Sequence, residues 1–262
     1  MNRRIYGIVY RHFCLYRRSW PRLLELVYWP TLQMCIWGFT TSYLVSQGAN
    51  TAAVAAGALL GGVLLWEVTL RSQMGVAITF LEELYSRNLG HIFVSPIRPW
   101  ELLGAQLYVS VVRTLVGVLP AVGLAWVLYK YDLFEMGPVL VLFFANLMFM
   151  GWWIALAVVS LILRHGLGAE VLAWSVTFGI APLSAVFYPV SVLPAAIQPI
   201  ALALPSTHVF EGMRAALAGT IRWDHLAAAF ALNVVWSLGA AGLFAWQFQR
   251  ARNRGALLNL GE

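Results

Sequence analysis

The chain has 262 residues, of which 61% are hydrophobic and only 11% are charged. Soluble domains carry roughly 25% charged residues, so this composition excludes a water-soluble protein and predicts one polytopic membrane domain. The net charge of +6 does not indicate nucleic-acid binding, because the basic residues are not gathered on one polar domain. The two cysteines, Cys14 and Cys35, suggest neither a disulfide framework nor a metal site.

The N-terminal segment, residues 1–22, mixes arginines with aromatic and aliphatic residues. This pattern predicts an amphipathic helix in the membrane interface, with its basic side chains reaching toward lipid phosphates. No cleavage site typical of a signal peptide follows it. We expect residues 23–248 to form the transmembrane domain and residues 249–262 to form a basic tail. The arginines of the segment are Arg3, Arg4, Arg11, Arg17, Arg18 and Arg22.

Hydropathy predicts an all-α membrane protein with six transmembrane helices. Basic residues concentrate in the segments on one side of these spans, whereas Lys130, Arg214 and Arg222 fall on the other side. The positive-inside rule therefore predicts that both termini lie in the cytoplasm. The predicted spans cover approximately residues 23–46, 51–70, 102–129, 136–163, 171–188 and 226–246.

Residues 71–101 form a polar interruption between the second and third spans. Within it, residues 79–90 predict a separate short helix that ends at Gly90. Glu82 and Glu83 make this helix acidic, and Glu83 and Arg87 are four residues apart on one face. The charge distribution places the helix, and the later turn at Arg164, on the cytoplasmic side.

Residues 187–214 are strongly apolar but cannot form one spanning helix. Pro189, Pro194, Pro199 and Pro205 each remove a backbone donor and disturb the preceding turn, and lipid offers no replacement partner. The stretch therefore predicts a broken, re-entrant helical element before the last span. We expect Ser206 or Thr207 to cap its second helix, which runs to Ala218, and Glu211 to lie in the first turns of that helix.

The proline-rich stretch resembles the corresponding region of ABC-2 type transporter permeases, the membrane subunits of one class of ATP-driven exporters. Their pattern is an aromatic-Pro pair, a Leu-Pro pair, a Pro-x-Thr triplet, then an acid and an arginine. A second resemblance lies before the third span, at Ser95, Pro96, Glu101 and Gly104. There the family often continues Gly-Lys, whereas this chain has Ala105 and Gln106, so a lysine contact cannot be carried over. The first pattern is met by Tyr188, Pro189, Leu193, Pro194, Pro205, Thr207, Glu211 and Arg214.

The resemblance implies a permease that works as a dimer with two copies of a separate ATPase, which bind ATP and Mg²⁺, in the bacterial cytoplasmic membrane. The short acidic helix would be the coupling helix that docks into the ATPase, and the cargo would be an amphipathic or lipid-linked molecule moved outward. The first and fifth spans would form the dimer seam, through the small residues Gly38, Thr41, Gly179, Ala181 and Ser184. The implied coupling residues are Glu82, Glu83, Arg87 and Arg164. The implied outer gate consists of Phe187, Tyr188, Pro189, Pro194 and Pro205.

Placing an ionisable residue inside a membrane span costs free energy, so such residues indicate either a transport path or an ion pair between helices. Glu67 and Arg71 are four residues apart, which predicts an ion pair. Arg113 either lines the path or pairs with Glu67 or Glu25, and the sequence leaves both open.

No phosphate-binding GxxxxGK[ST] loop occurs in the sequence, so the ATPase must be another polypeptide. The five histidines lack the spacing of metal ligands, which favours interfacial positions. A membrane-embedded lipid-modifying enzyme is the alternative, but such an enzyme needs clustered His, Asp or Glu groups. An ion-driven transporter would show paired broken helices in two repeated halves, and only one strongly broken stretch is present.

Overall fold

The structure, a computed structural model, describes residues 3–46, 52–86, 99–169 and 171–253. Within these ranges every regular element is a helix, which confirms the all-α prediction. Four short 3₁₀ turns join the helices, at Leu133–Met136, Gly166–Ala169, Ala181–Leu183 and Val190–Val192. The α-helices are α1 (Arg3–Arg18), α2 (Trp20–Ser46), α3 (Ala52–Tyr85), α4 (Pro99–Tyr129), α5 (Val139–His165), α6 (Val171–Ile180), α7 (Gln198–Leu202), α8 (Pro205–Leu217) and α9 (Trp223–Asn253).

Among the described helices, three are both long and apolar enough to cross a membrane. They are Trp100–Tyr129, Val139–His165 and Trp223–Asn253, and a shorter apolar helix covers Trp174–Leu183. Each of the three exceeds the roughly 20 residues that a bilayer requires. These helices support a membrane protein, while the count of six spans remains a prediction.

Helix α3 corrects the prediction of a second span followed by a separate acidic helix. It runs without interruption from Ala52 to Tyr85, because no proline or helix-ending glycine separates the two parts. Polar residues of the predicted interruption face other helices instead: Ser72, Gln73 and Thr79 are fully buried. The polar side chains of this stretch therefore form contacts between helices and do not indicate a loop. The predicted end at Gly90 lies outside the described residues.

Helix α6 is shorter than the fifth span that hydropathy predicted over residues 171–188. Its α-helical part ends at Ile180, and ten residues rise only about 15 Å, half the thickness of a bilayer core. Pro182 then lies in the first turn of a 3₁₀ segment, and Ala185 has a positive φ of 53°. The backbone therefore turns within the predicted span and leads directly into the proline-rich element.

The boundaries at the two ends also differ from the prediction. The N-terminal helix stops at Arg18, and after Ser19 the second helix begins at Trp20 rather than at residue 23. Helix α9 continues to Asn253, beyond the predicted start of the tail at residue 249. Arg250 lies over the ring of Trp246, 5.6 Å from its centroid, so part of the predicted tail is an extension of the last helix.

Helix α3 lies at the centre of the bundle and packs on α2, α4 and α5. Small residues allow close contact: a Cβ at Gly62 would lie 2.6 Å from the carbonyl oxygen of Val186. Helices α5 and α9 are joined by a polar contact in which Asn233 accepts from the Trp153 indole at 3.0 Å and donates to the Asn146 carbonyl at 3.0 Å. Small residues and interhelical hydrogen bonds are the usual means of packing helices in lipid.

Candidate coupling and gate sites

Helix α1 is fixed to the ends of α3 and α4 by ion pairs. Arg11 Nη1 lies 2.8 Å from Glu83 Oε1, and Arg4 Nη1 lies 3.5 Å from Glu101 Oε2. Both carboxylates are buried whereas both arginines are part-exposed, so α1 covers the acids. A buried carboxylate depends on such a partner, because removing it leaves an uncompensated charge.

The opposite face of α1 is apolar and exposed. Tyr6, Tyr10 and Phe13 are each more than half exposed, and the rings of Tyr6 and Tyr10 stack with centroids 6.0 Å apart. This division between a charged inner face and an aromatic outer face agrees with an interfacial helix. The arginine contacts differ from the prediction, however. Arg4 and Arg11 form ion pairs with carboxylates of the protein, whereas we expected them to reach lipid phosphates.

The acids predicted to contact an ATPase turn toward the chain's own helices. Glu83 is only 2% exposed beneath α1, and Glu82 pairs with Arg22 of α2 across 3.2 Å. Because α3 is one continuous helix, its last turns carry these side chains into the bundle rather than out on a separate helix. Arg164 is exposed in the last turn of α5, and Arg87 lies outside the described residues.

His12 and Arg113 lie together beneath α1. His12 is 2% exposed, and burial lowers its pKa, although Glu83 at 4.0 Å opposes the shift. The guanidinium of Arg113 lies over the Tyr16 ring, 5.2 Å from its centroid. Arg113 Nε and Nη1 are buried and have no hydrogen-bond partner among the described residues. The structure therefore places Arg113 against α1, and no ion pair joins it to Glu67 or Glu25 within the described part of the chain.

Glu67 and Arg71 form the ion pair that their spacing predicted. Arg71 Nε donates to Glu67 Oε2 over 3.1 Å, and both side chains are largely buried. The pair borders a cavity of about 190 Å³ between α2, α3 and α6. Its remaining lining is mainly aromatic and aliphatic: Trp29, Gln33, Leu70, Met74, Trp174 and Phe178. One ion pair in an apolar cavity could bind a molecule that has both a polar and an apolar part.

The prolines of the broken element start helical turns instead of interrupting them. Pro182 and Pro199 lie in the first turns of their helices, Pro205 is the first residue of α8, and Pro189 precedes the turn Val190–Val192. The first residues of a helix have no internal partner for their N–H groups, so proline costs little there. The structure therefore has a series of short helical segments here, while their re-entry into the membrane remains a prediction.

Arg214 holds the backbone of this element together. Its Nη2 donates to the carbonyl oxygens of Tyr188 at 2.9 Å and Val186 at 3.4 Å, and also to that of Ala185. Carbonyls at a non-helical turn lack a helical partner, and the charged Nη2 group of Arg214 can serve several of them. Helix α8 therefore fixes the turn that follows α6.

Glu211 completes this contact on the other side of Pro189. Its Oε1 accepts from the Val190 backbone N–H over 2.8 Å and lies 3.5 Å from Arg214 Nη1. The Tyr188 hydroxyl donates to the Pro182 carbonyl at 2.6 Å. We call this set, Tyr188, Val190, Glu211 and Arg214, the gate clamp. It explains why an aromatic-Pro pair and a distant acid and arginine occur together: they meet in space.

The sequence profile of the ABC-2 type transporter family matches residues 3–218, which includes the gate clamp and α1. This chain belongs to the ABC-2 type transporter family. The match begins with the first residue of α1 and ends with the residue that follows α8. No individually characterised protein matches the chain. Membership makes the chain the membrane domain of a transporter, in a family whose permeases normally work with an ATPase subunit.

The start of α8 in this ABC-2 family member differs from the prediction. Leu204 occupies the N-cap and provides no side-chain hydrogen bond. Ser206 instead bonds Ser184 Oγ at 2.9 Å, and Thr207 donates to the Leu183 carbonyl at 3.4 Å. Both hydroxyls are fully buried and tie α8 to the end of α6. Glu211 is the seventh residue of α8 and thus lies within its first two turns as expected, where its carboxylate contributes to the gate clamp.

The predicted gate residues fall into two groups. Phe187, Tyr188 and Pro189 surround the gate clamp, and the Phe187 ring stacks on Trp37 of α2 with centroids 4.8 Å apart. Pro194 lies further along, where its carbonyl accepts from Ile197 at 2.8 Å. Pro205 is buried at the start of α8. The sequence identified Arg214 only as a motif residue and did not predict its contacts. No spacing rule links it to carbonyls that precede it by 26 or more residues.

Proposed function

We propose that this chain is the permease subunit of an ATP-driven exporter that moves an amphipathic or lipid-linked molecule outward. In this proposal the chain has six spans with both termini in the cytoplasm, and two copies assemble with two copies of a separate ATPase. The observation that carries the proposal is the family match over residues 3–218 together with the gate clamp that its motif residues form.

The charged end of the bundle is the coupling end. The ATPase contacts the exposed Arg164 and the connection that includes Arg87. Glu82 and Glu83 do not touch the ATPase in this proposal. They hold α2 and α1 on the end of α3, so that these helices move together when the ATPase closes. Ion pairs across three helices suit this role, because they resist separation of the elements without adding apolar packing.

The cavity beside Glu67 and Arg71 supports a cargo with mixed chemistry. An aromatic and aliphatic wall holds the apolar part, and the ion pair offers a charge of either sign to a head group. The gate clamp and the following short helices close the outward end. Phe187, Tyr188 and Pro189 lie at this closure, while Pro194 and Pro205 set the lengths of the short helices.

Small residues predicted for the dimer seam are partly used inside one chain. A Cβ at Gly38 would collide with the ring of Tyr129, and Thr41 and Ser184 are buried. Phe39 and Phe178 remain exposed on α2 and α6. We therefore place the proposed contact between two copies on this aromatic surface of α2 and α6.

The test is copurification of the chain with an ABC ATPase, followed by ATP hydrolysis with and without vanadate. We expect a stable complex whose ATP hydrolysis is vanadate-sensitive and requires both polypeptides. A variant lacking the exposed charge, Arg164→Ala, should weaken the complex, and Arg18→Ala serves as a control because Arg18 is also exposed but lies on α1. A chain that binds no ATPase and alters lipids by itself would contradict the proposal.

A further inference from the structure

Two histidines face each other where α8, the last part of the gate element (the short helical segments from Ala181 to Leu217), meets α9. His208 lies in the first turn of α8 and His225 in the first turn of α9. Their Nδ1 atoms are 3.4 Å apart, and the rings are inclined by 43°. Both side chains are half-buried, so the gap between the two nitrogens is within reach of solvent. The sequence separates them by seventeen positions, which hides the pair from any spacing rule for ligands.

A backbone contact determines which nitrogen of His208 carries the proton. His208 Nε2 lies 2.9 Å from the Leu202 carbonyl oxygen, and a carbonyl can only accept a hydrogen bond. Nε2 is therefore the protonated nitrogen, and the Nδ1 of a neutral His208 presents a lone pair toward His225. This arrangement, with one ring nitrogen donating to a carbonyl and the other left open, is typical of metal-binding histidines.

The separation of 3.4 Å between the two nitrogens is longer than the distance of about 2.7–3.2 Å that is typical of N–H···O hydrogen bonds. It equals the distance between two ligands of a tetrahedral ion, since two Zn–N bonds of about 2.0–2.1 Å at the tetrahedral angle place the nitrogens about 3.4 Å apart. We propose that His208 and His225 together bind a divalent transition-metal ion through their Nδ1 atoms, and so join α8 to α9.

The surrounding charges fit a cation. Asp224 and Glu211 act on His225 with negative charge, while Arg222 opposes them. Arg222 engages both oxygens of Asp224, at 2.9 Å and 2.5 Å, so this carboxylate attracts the ion without ligating it. Within the described ranges no third His, Cys, Asp or Glu completes a cluster. Water fills the remaining positions. The tetrahedral spacing suits Zn²⁺, while Cu²⁺, which binds imidazole more tightly, serves as a spectroscopic probe of the same two ligands.

Such an ion would restrain the gate element. Helix α8 carries Glu211 and Arg214 of the gate clamp, and a bridge from His208 to α9 fixes its other end. Metal binding itself does not depend on the proposed export function, whereas its effect on transport does. Metal binding to the chain and inhibition of transport by the metal can therefore be measured separately. Absence of one does not imply absence of the other.

The experiment uses the full chain without a polyhistidine tag, stripped of metal with EDTA and placed in nanodiscs. Cu²⁺ is titrated and followed by electron paramagnetic resonance, and the unfolding midpoint is measured with Zn²⁺ and with Ca²⁺. We expect one Cu²⁺ per chain with hyperfine splitting from two nitrogens. Zn²⁺ but not Ca²⁺ should raise the midpoint by about 2–4 °C for each kcal/mol of binding energy.

The variants His208→Gln and His225→Gln should each lose this binding, because each leaves a single imidazole. His165→Gln is the matched control, since His165 is exposed at the far end of α5. Folding of the Gln variants is checked by their unfolding midpoint without metal. The proposal is overturned if wild type binds no more Cu²⁺ than the double variant His208→Gln with His225→Gln, or if the two-nitrogen signal survives in either single variant.

Discussion

Arg214 donates to the carbonyl oxygen of Tyr188 across 2.9 Å, and this hydrogen bond joins two parts of the family motif that the sequence keeps 26 residues apart. Glu211 holds the next backbone group, the N–H of Val190, at 2.8 Å. One acid and one arginine on α8 thus satisfy both kinds of backbone group around Pro189. In a membrane, where water cannot replace these partners, such contacts determine whether a non-helical turn is tolerated.

The gate clamp should depend on the fork geometry of the guanidinium. We expect Arg214→Lys to lower the unfolding free energy by about 2 kcal/mol, because Nη2 serves the carbonyls while Nη1 faces Glu211. A lysine has one nitrogen and cannot keep both contacts, and a charged hydrogen bond contributes about 1.5–3 kcal/mol. Thermal unfolding in nanodiscs measures the loss. Arg222→Lys is the control: Arg222 and Asp224 are both more than half exposed, so little should change. Equal effects of the two substitutions would argue against the clamp.

Helix α1 should be coupled energetically to the end of α3. Glu83→Lys places a second cation beside Arg11 and His12, and we expect a large loss of stability because the site is buried. The double variant Arg11→Glu with Glu83→Lys should recover part of it, with a coupling energy of about 0.5–3 kcal/mol in a double-mutant cycle. Strictly additive losses would show that the two residues do not interact.

Close packing between α3 and the gate element gives a third prediction. Gly62→Ala should destabilise the protein and impair transport, because the new Cβ would lie 2.6 Å from the Val186 carbonyl oxygen, which the backbone cannot easily move. Gly57→Ala should be neutral or stabilising, since its Cβ would approach nothing nearer than 3.6 Å and alanine favours helices by up to about 1 kcal/mol. Measured unfolding midpoints that rank the two variants in reverse would contradict the packing.

The attachment of α1 should weaken in acid. Burial lowers the pKa of His12 below its usual value of about 6.5, so below that pH the detached helix takes up a proton that the attached helix does not. Attachment is therefore strongest at neutral pH and weakens progressively as the pH falls below about 6.5, the pKa of a free histidine. Spin labels on α1 and α3 would measure it, and His12→Gln should remove this part of the pH dependence. Identical profiles for both proteins would exclude the effect.

Sequence reasoning reached the helical fold, the series of short helices between residues 187 and 218, and the family. Those features depend on composition, on proline positions and on a motif, all of which can be read locally. It separated the acidic helix from the second span because polar residues such as Ser72 and Gln73 resemble a loop, whereas they are buried against other helices.

The contacts that form the candidate sites could not be read locally. Arg11 and Glu83 are 72 positions apart, and the ion pair depends on how α1 folds back over the bundle. An interfacial arginine that contacts lipid and one that pairs with a buried acid have the same local sequence. Likewise, nothing near His208 predicts that α9 brings His225 opposite it.

The central claim, ATP-driven outward movement of an amphipathic molecule, is tested most directly in inverted membrane vesicles that contain this chain and its ATPase. A fluorescent lipid-linked probe is added outside with ATP, and its accumulation in the lumen is measured with and without vanadate. We expect accumulation that requires ATP and both polypeptides, is blocked by vanadate and is reduced in Arg214→Lys. Accumulation that is independent of ATP, or transport of a small inorganic ion alone, would contradict the account.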